Sequence, residues 1–152
     1  MRTKPSLPIG IQSFKEIRTN NYLYVDKTEQ IFNLIETGKV YFLSRPRRFG
    51  KSLLVSTLDS FFSGKKELFV GLKIEGLEKE WISYPVFYID FGGKEYRARK
   101  DLEEKLYSIL DNIKKEYNVT SSESSPELIF SDLIKSASEK YKKNVVVLVD
   151  EY

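Results

Sequence analysis

Apolar residues in this chain fall into two kinds of run. Val40-Tyr41-Phe42-Leu43, Val86-Phe87-Tyr88-Ile89-Asp90-Phe91 and Val145-Val146-Val147-Leu148-Val149 are short apolar blocks bounded by polar residues, and each reads as a buried strand. In the last, five β-forming residues stand in succession, without alternation. That is the pattern of a strand covered on both faces, as in a parallel sheet. The other runs have helical spacing. Ile31, Leu34 and Ile35 follow Asp26-Lys27-Thr28-Glu29, which reads as a capping box, with Gly38 as the stop. Leu54, Leu58, Phe61 and Phe62 mark a helix over 52–62 that Gly64 ends, and Leu102, Leu106, Ile109, Leu110 and Ile113 mark one over 98–117. Ser125-Pro126 opens a further helix, with Leu128, Leu133 and Ile134 carrying it to about Lys140.

The order is strand, helix, strand, helix, helix, strand, which predicts an α/β layered sheet with parallel strands. Residues 1–25 read as a packed N-terminal arm with a helical turn around Ile11, Phe14 and Ile17 and an extended piece at Tyr22–Val25. Lys65 to Glu80 reads as a connection with short structure of its own, and 118–126 as a surface loop. Trp81 and the phenylalanines near it read as core, because a base-stacking role needs exposed rings. Neither a repeat nor a linker is visible, so 1–152 is taken as one domain. Asp26 and Lys27 have two readings, helix capping with a solvated charge or a contact to a nucleotide or to the basic loop downstream.

Composition narrows the chemistry. A chain of 152 residues with 41% hydrophobic and 31% charged residues suits one soluble globular domain. No apolar run approaches the roughly 20 residues that span a bilayer, and no signal-peptide core follows Met1, so no membrane partner and a cytoplasmic location are expected. Cysteine and histidine are both absent. Disulfides, thiolate zinc sites, and serine or cysteine nucleophiles paired with histidine are therefore excluded in this stretch. A metal here needs oxygen ligands, which suits Mg²⁺. The net charge of +3 is too mild to argue for nucleic acid by itself.

The candidate chemistry sits at two strand ends. Ser44-Arg45-Pro46-Arg47-Arg48-Phe49-Gly50-Lys51-Ser52 ends in the second half of the phosphate-binding loop pattern G-x-x-x-x-G-K-[ST]. Glycine lets the backbone approach a phosphate, and the N–H groups opening the next helix point at the anion. Lys51 would reach the β- and γ-phosphates, and the Ser52 hydroxyl would ligate Mg²⁺. The general motif's first glycine is replaced by Arg45, and Pro46 has no N–H to offer. At the other end, Asp150-Glu151 follows the 145–149 run. There Asp150 would hold Mg²⁺ and Glu151 would polarise an attacking water. An ordinary strand-to-helix turn and an acidic surface turn are the alternatives for the two sites taken singly. Ligands of such sheets bind beyond the carboxyl ends of strands, so the pair can converge on one Mg²⁺–phosphate.

Together with Leu7-Pro8-Ile9-Gly10 and Tyr24-Val25-Asp26-Lys27-Thr28, these strings resemble the AAA-ATPase-like family of bacteria and archaea, in its order and over nearly the whole chain. The arginine-rich loop without its first glycine is the family's own version. The resemblance implies a P-loop NTPase-like fold with Walker A and Walker B motifs and ATP and Mg²⁺ as cofactors. Arg47, Arg48, Phe49, Gly50, Lys51 and Ser52 would bind the nucleotide, Ser52 and Asp150 the metal, and Lys51 and Glu151 would be catalytic. It also implies that the chain is the N-terminal part of a longer protein. The rest of the ATPase core, and often a C-terminal nuclease-like domain of the PD-(D/E)XK type, would follow.

The Val145–Val149 strand is then expected beside Val40–Leu43. An exposed sheet edge prone to self-association is expected too, with an incomplete hydrolytic site. Arg45, Arg47 and Arg48 have three readings: pairing with carboxylates of the arm, contact with nucleotide phosphates, or contact with a nucleic-acid backbone. An ATP-binding module, a non-hydrolysing regulatory scaffold and a nucleic-acid-binding module are the corresponding functions.

Overall fold

The computed structural model describes residues 4–44, 46, 48–93 and 96–151. The chain divides into two compact units, Met1–Ser83 and Tyr84–Tyr152.

The described part of the first unit is helical: α1 (Phe14–Thr19), α2 (Thr28–Thr37), α3 (Lys51–Phe62), a 3-10 turn (Lys66–Phe69) and α4 (Ile74–Leu77). Ser13 starts α1 by accepting the Glu16 N–H at 3.2 Å, which satisfies one of the first-turn donors. The core gathers Phe14, Phe61, Leu68, Phe69, Leu72 and Ile74, with Tyr24, Phe32 and Trp81 against it. Phe69 is its centre, with ring centroids 4.8 Å from Phe14 and 5.1 Å from Trp81. Four of these six buried residues, Leu68, Phe69, Leu72 and Ile74, come from 65–80, the stretch read from the sequence as a connection with short structure of its own. Mixed charges masked it, since the apolar residues there lie on short elements with too few turns to show a period. Arg18 ties it to α1, its guanidinium donating to the Leu68 carbonyl at 2.7 Å and to the Val70 carbonyl at 2.6 Å. In α3 the buried positions are Thr57, Ser60 and Phe61, while the expected Leu54 and Leu58 are only half-buried. The two hydroxyls donate back to the helix, to the Leu53 and Ser56 carbonyls, so their burial leaves no donor unmet.

The expected strand at Val40–Leu43 is not a strand. Val40 is 92% exposed and Phe42 75%. Tyr41 instead folds back over the last turn of α2, donating to the Leu34 carbonyl at 2.6 Å. An apolar run becomes a strand only beside another strand, and the run itself cannot specify that neighbour.

The second unit is β1 (Val86–Asp90), α5 (Arg99–Tyr117), α6 (Pro126–Tyr141) and β2 (Val146–Asp150). The strands pair in parallel, Val86 with Val146 through Asp90 with Asp150. The fold is thus mixed α/β with a small parallel sheet, and β2 lies beside β1. Phe87, Ile89, Ile109, Leu110, Ile113, Ile129, Leu133 and Ala137 form the core between strands and helices. The Tyr117 hydroxyl closes it at one end, accepting the Val86 N–H at 2.9 Å and donating to the Val86 carbonyl at 2.7 Å. β2 is not buried on both faces as expected. Val147 and Val149, which the register sets on the side of Phe87 and Ile89, are each 40% exposed. The helices cover β1 more completely than β2, and an all-apolar run does not record that difference.

Asp26 does start α2, but not through a capping box. Its Oδ1 accepts the Thr28 N–H at 2.8 Å and the Thr28 hydroxyl at 2.6 Å, and its Oδ2 accepts the Lys73 N–H at 2.8 Å. Thr28 Oγ1 in turn accepts the Ile74 N–H at 3.1 Å. Glu29 pairs with Lys73 Nζ at 2.8 Å, an exposed ion pair of small energetic weight. One carboxylate therefore joins the starts of α2 and α4. Partial burial opposes its ionisation, but the donors from Thr28 and Lys73 and the Lys73 charge outweigh this and hold its pKa below the usual value. A depressed pKa contributes stability above the unfolded-state value of about 3.9 and loses it as pH falls through the folded-state value. Asp26→Ala should cost about 1–2 kcal/mol at neutral pH, as for the loss of a helix cap. Urea titrations followed by the fluorescence of Trp81 should show the gap from wild type narrowing on acidification below about pH 4.

Candidate functional site

Gly50 is the N-cap of α3, with φ of +73°. This is the left-handed region, where a side chain is disfavoured and glycine is not. Arg48, two residues earlier, is also left-handed, with φ of +66°. Lys51 and Ser52 occupy the first turn of α3 and are half-buried, and the N-cap, a glycine, gives that turn no side-chain cap. Its N–H groups and helix dipole therefore face the end of the helix where an anion is favoured. Phe49 is 64% exposed. Arg45 and Arg47 lie outside the described residues, so the readings that rest on them concern sequence only.

The acidic pair belongs to the second unit. Parallel pairing brings the carboxyl ends of β1 and β2 to the same edge, so Asp90 lies beside Asp150. Asp150 is 7% exposed. Its Oδ1 accepts the Glu151 N–H at 3.0 Å, and its Oδ2 accepts the Tyr88 hydroxyl at 3.4 Å. Glu151 is exposed, with a left-handed φ of +55°. A non-glycine residue in that region is uncommon, and such residues gather at functional sites. The turn after β1 is held by Asp90 Oδ1, which accepts the Gly92 N–H at 2.7 Å. Gly92 lies so close to Glu151 that a Cβ built on it would stand 3.2 Å from Glu151 Cγ.

Lys51 and Ser52 belong to the first unit and Asp150 and Glu151 to the second, and each pair stands at the end of its own element. Among the described residues no three acidic, histidine or cysteine side chains gather as a metal site. Mg²⁺ does not require such a cage, since it commonly takes one or two carboxylates with phosphate oxygens and water. The Asp150 carboxylate, with one donor on each oxygen among the described residues, fits that use. Asp26, the other carboxylate considered for a nucleotide contact, has its oxygens engaged by Thr28 and Lys73. A cleft of about 460 Å³ opens between α5 and the start of α6, lined by Arg99, Leu102, Glu103, Tyr107, Ser125 and Glu127. None of the sequence-predicted site residues lines it. Tyr88 and Gly92 were not legible as site residues, since a tyrosine within a strand reads as core and a Gly-Gly pair as a turn.

The family model described as "Predicted AAA-ATPase" matches residues 8–152. The chain belongs to this AAA-ATPase-like family. It is also 42% identical over 151 residues to a protein of Azotobacter chroococcum mcd 1 named "Uncharacterized protein in vnfD 5'region". That match takes in 99% of the chain and 29% of the relative, so the chain spans under a third of the relative's length. No solved structure matches the chain. Among the described residues of this AAA-ATPase-like chain, no helix is long and apolar enough to cross a membrane.

The left-handed turn yields a direct test. Among the described residues a Cβ on Gly50 would meet nothing within 4 Å, so the expected cost of substitution is one of backbone conformation. Gly50→Ala should lower stability by about 1–2 kcal/mol and Gly50→Asn by less, because asparagine tolerates this region. Equal losses in urea denaturation would argue for a steric cause instead.

Proposed function

We propose that this chain is a nucleoside-triphosphate-binding P-loop module, with ATP as the nucleotide and Mg²⁺ as the metal. The observation that carries the reading is Gly50, left-handed and directly opening α3 without a side-chain cap of its own, with Lys51 and Ser52 in the first turn. In this reading the first-turn N–H groups and Lys51 hold the phosphates, and Ser52 and Asp150 ligate Mg²⁺. Arg48 and Phe49 flank the bound nucleotide, and in the longer protein Glu151 orients the attacking water. Family membership supports it, as does the buried Asp150 with exposed Glu151 at the end of a parallel strand. Hydrolysis by the whole protein is part of the proposal, because the catalytic arrangement draws on strands beyond β2 in this class of fold.

Calorimetric titration of Mg-ATP into the chain tests it. Binding is expected for wild type and should be lost in Lys51→Ala, with the thermal midpoint of the variant unchanged. Equal affinity in both proteins would overturn the reading. In the longer protein, Glu151→Gln should retain ATP binding and lower turnover by at least a hundredfold, within the range attributed to general-base catalysis.

A further inference from the structure

The carboxyl end of β1 carries no residue of the proposed phosphate or metal machinery, yet it is built around the acidic pair. We infer that it is a positioning platform for Asp150 and Glu151, with Tyr88 as the positioning residue of the Mg²⁺ carboxylate; this rests on the proposed nucleotide reading.

Three features place it there. The register pairs Tyr88 with Leu148 and Asp90 with Asp150, so Tyr88, Asp90 and Asp150 share one face. Tyr88 is the diagonal neighbour of Asp150, a separation that a long aromatic side chain spans. Its hydroxyl donates to Oδ2 of Asp150 at 3.4 Å while the Glu151 N–H donates to Oδ1 at 3.0 Å. A carboxylate has about four lone-pair sites, so these two donors, the hydroxyl contact being the longer, orient the group and among the described residues leave a site on each oxygen for a cation. Carboxylates that ligate metals are commonly oriented in this way by an outer donor, whose removal weakens metal affinity about 10- to 100-fold.

The other contacts of the platform serve the same end. The Phe91 N–H donates to the Asp150 carbonyl at 3.1 Å, extending the ladder to the last residue of β2. Asp90 Oδ1 accepts the Gly92 N–H and so holds the turn after β1. Gly92, lacking a side chain, then lets the Glu151 side chain lie against that turn.

The test uses Tyr88→Phe, which removes one hydroxyl and keeps the ring. ATP binding to the chain is measured by calorimetry across a Mg²⁺ series, with an EDTA sample as the metal-free reference. For Tyr88→Phe the Mg²⁺ concentration giving half the metal-dependent gain in affinity should rise about tenfold. Affinity in EDTA should match wild type. Tyr107→Phe serves as control, since the Tyr107 hydroxyl donates to the Ser124 carbonyl in the same unit, and it should leave both values unchanged.

A Tyr88→Phe midpoint equal to wild type would overturn the inference and leave the nucleotide reading standing. So would a lowered thermal midpoint with an unchanged Mg²⁺ response, which marks a purely structural tyrosine. A wild-type chain that binds ATP with no regard to Mg²⁺ overturns it as well. A wild-type chain that binds no ATP overturns the nucleotide reading and this inference with it.

Discussion

Parallel pairing of Val86–Asp90 with Val146–Asp150 obliges the two strands to end at one edge, and the placement of the acidic residues in the second unit follows from that constraint. An antiparallel pair would set the end of one strand against the start of the other. Here Asp90 and Asp150 stand side by side, and Tyr88 reaches the Asp150 carboxylate from the neighbouring strand. The cost of the arrangement is a long crossover, because parallel neighbours cannot be joined by a tight turn. Helices α5 and α6 supply that crossover and at the same time bury Phe87 and Ile89. The same elements therefore close the connection, build the core and aim the acidic pair.

The first unit solves a different problem, how to hold α3 firmly while starting it on a glycine that gives no side-chain cap. Phe61 anchors the far end of the helix among Phe69 and Trp81. Along its length, the Ser56 hydroxyl accepts the Phe14 N–H at 2.9 Å, fixing α1 against it. The amino end is set by Gly50, whose left-handed backbone turns the chain without a capping side chain. A capping hydroxyl or carboxylate there would occupy the donors that an anion needs. Firm packing at one end and an uncapped turn at the other are compatible because helix geometry transmits position along the axis.

Much of this was legible in the residues. The spacing of Leu102, Leu106, Ile109, Leu110 and Ile113 marked α5, and Ser125-Pro126 marked the start of α6, since helical period and Pro at the first position are local properties. The apolar blocks before Asp90 and Asp150 marked β1 and β2. Gly50-Lys51-Ser52 and Asp150-Glu151 stood out as candidates for a similar reason, as short strings whose expected chemistry is written in adjacent residues. Val40–Leu43 was misread because a strand is defined by its partner, and the partner is not written in the run. The core role of Leu68, Phe69, Leu72 and Ile74 was hidden because one or two turns are too short for a period to show.

The sequence by itself determined the helices of the second unit, its two strands, the glycine turn before Lys51 and the family to which the chain belongs. Each rests on local preference or on contiguous motifs, which act over a few residues. Tertiary structure alone decided that Asp26 joins α2 to α4, that Tyr117 closes the start of β1, and that Tyr88 and Gly92 attend the acidic pair. Those contacts join residues from 31 to 62 positions apart where side-chain hydrogen bonds form between elements. No local pattern encodes them, because they exist only after packing has brought separate elements within a hydrogen bond's reach.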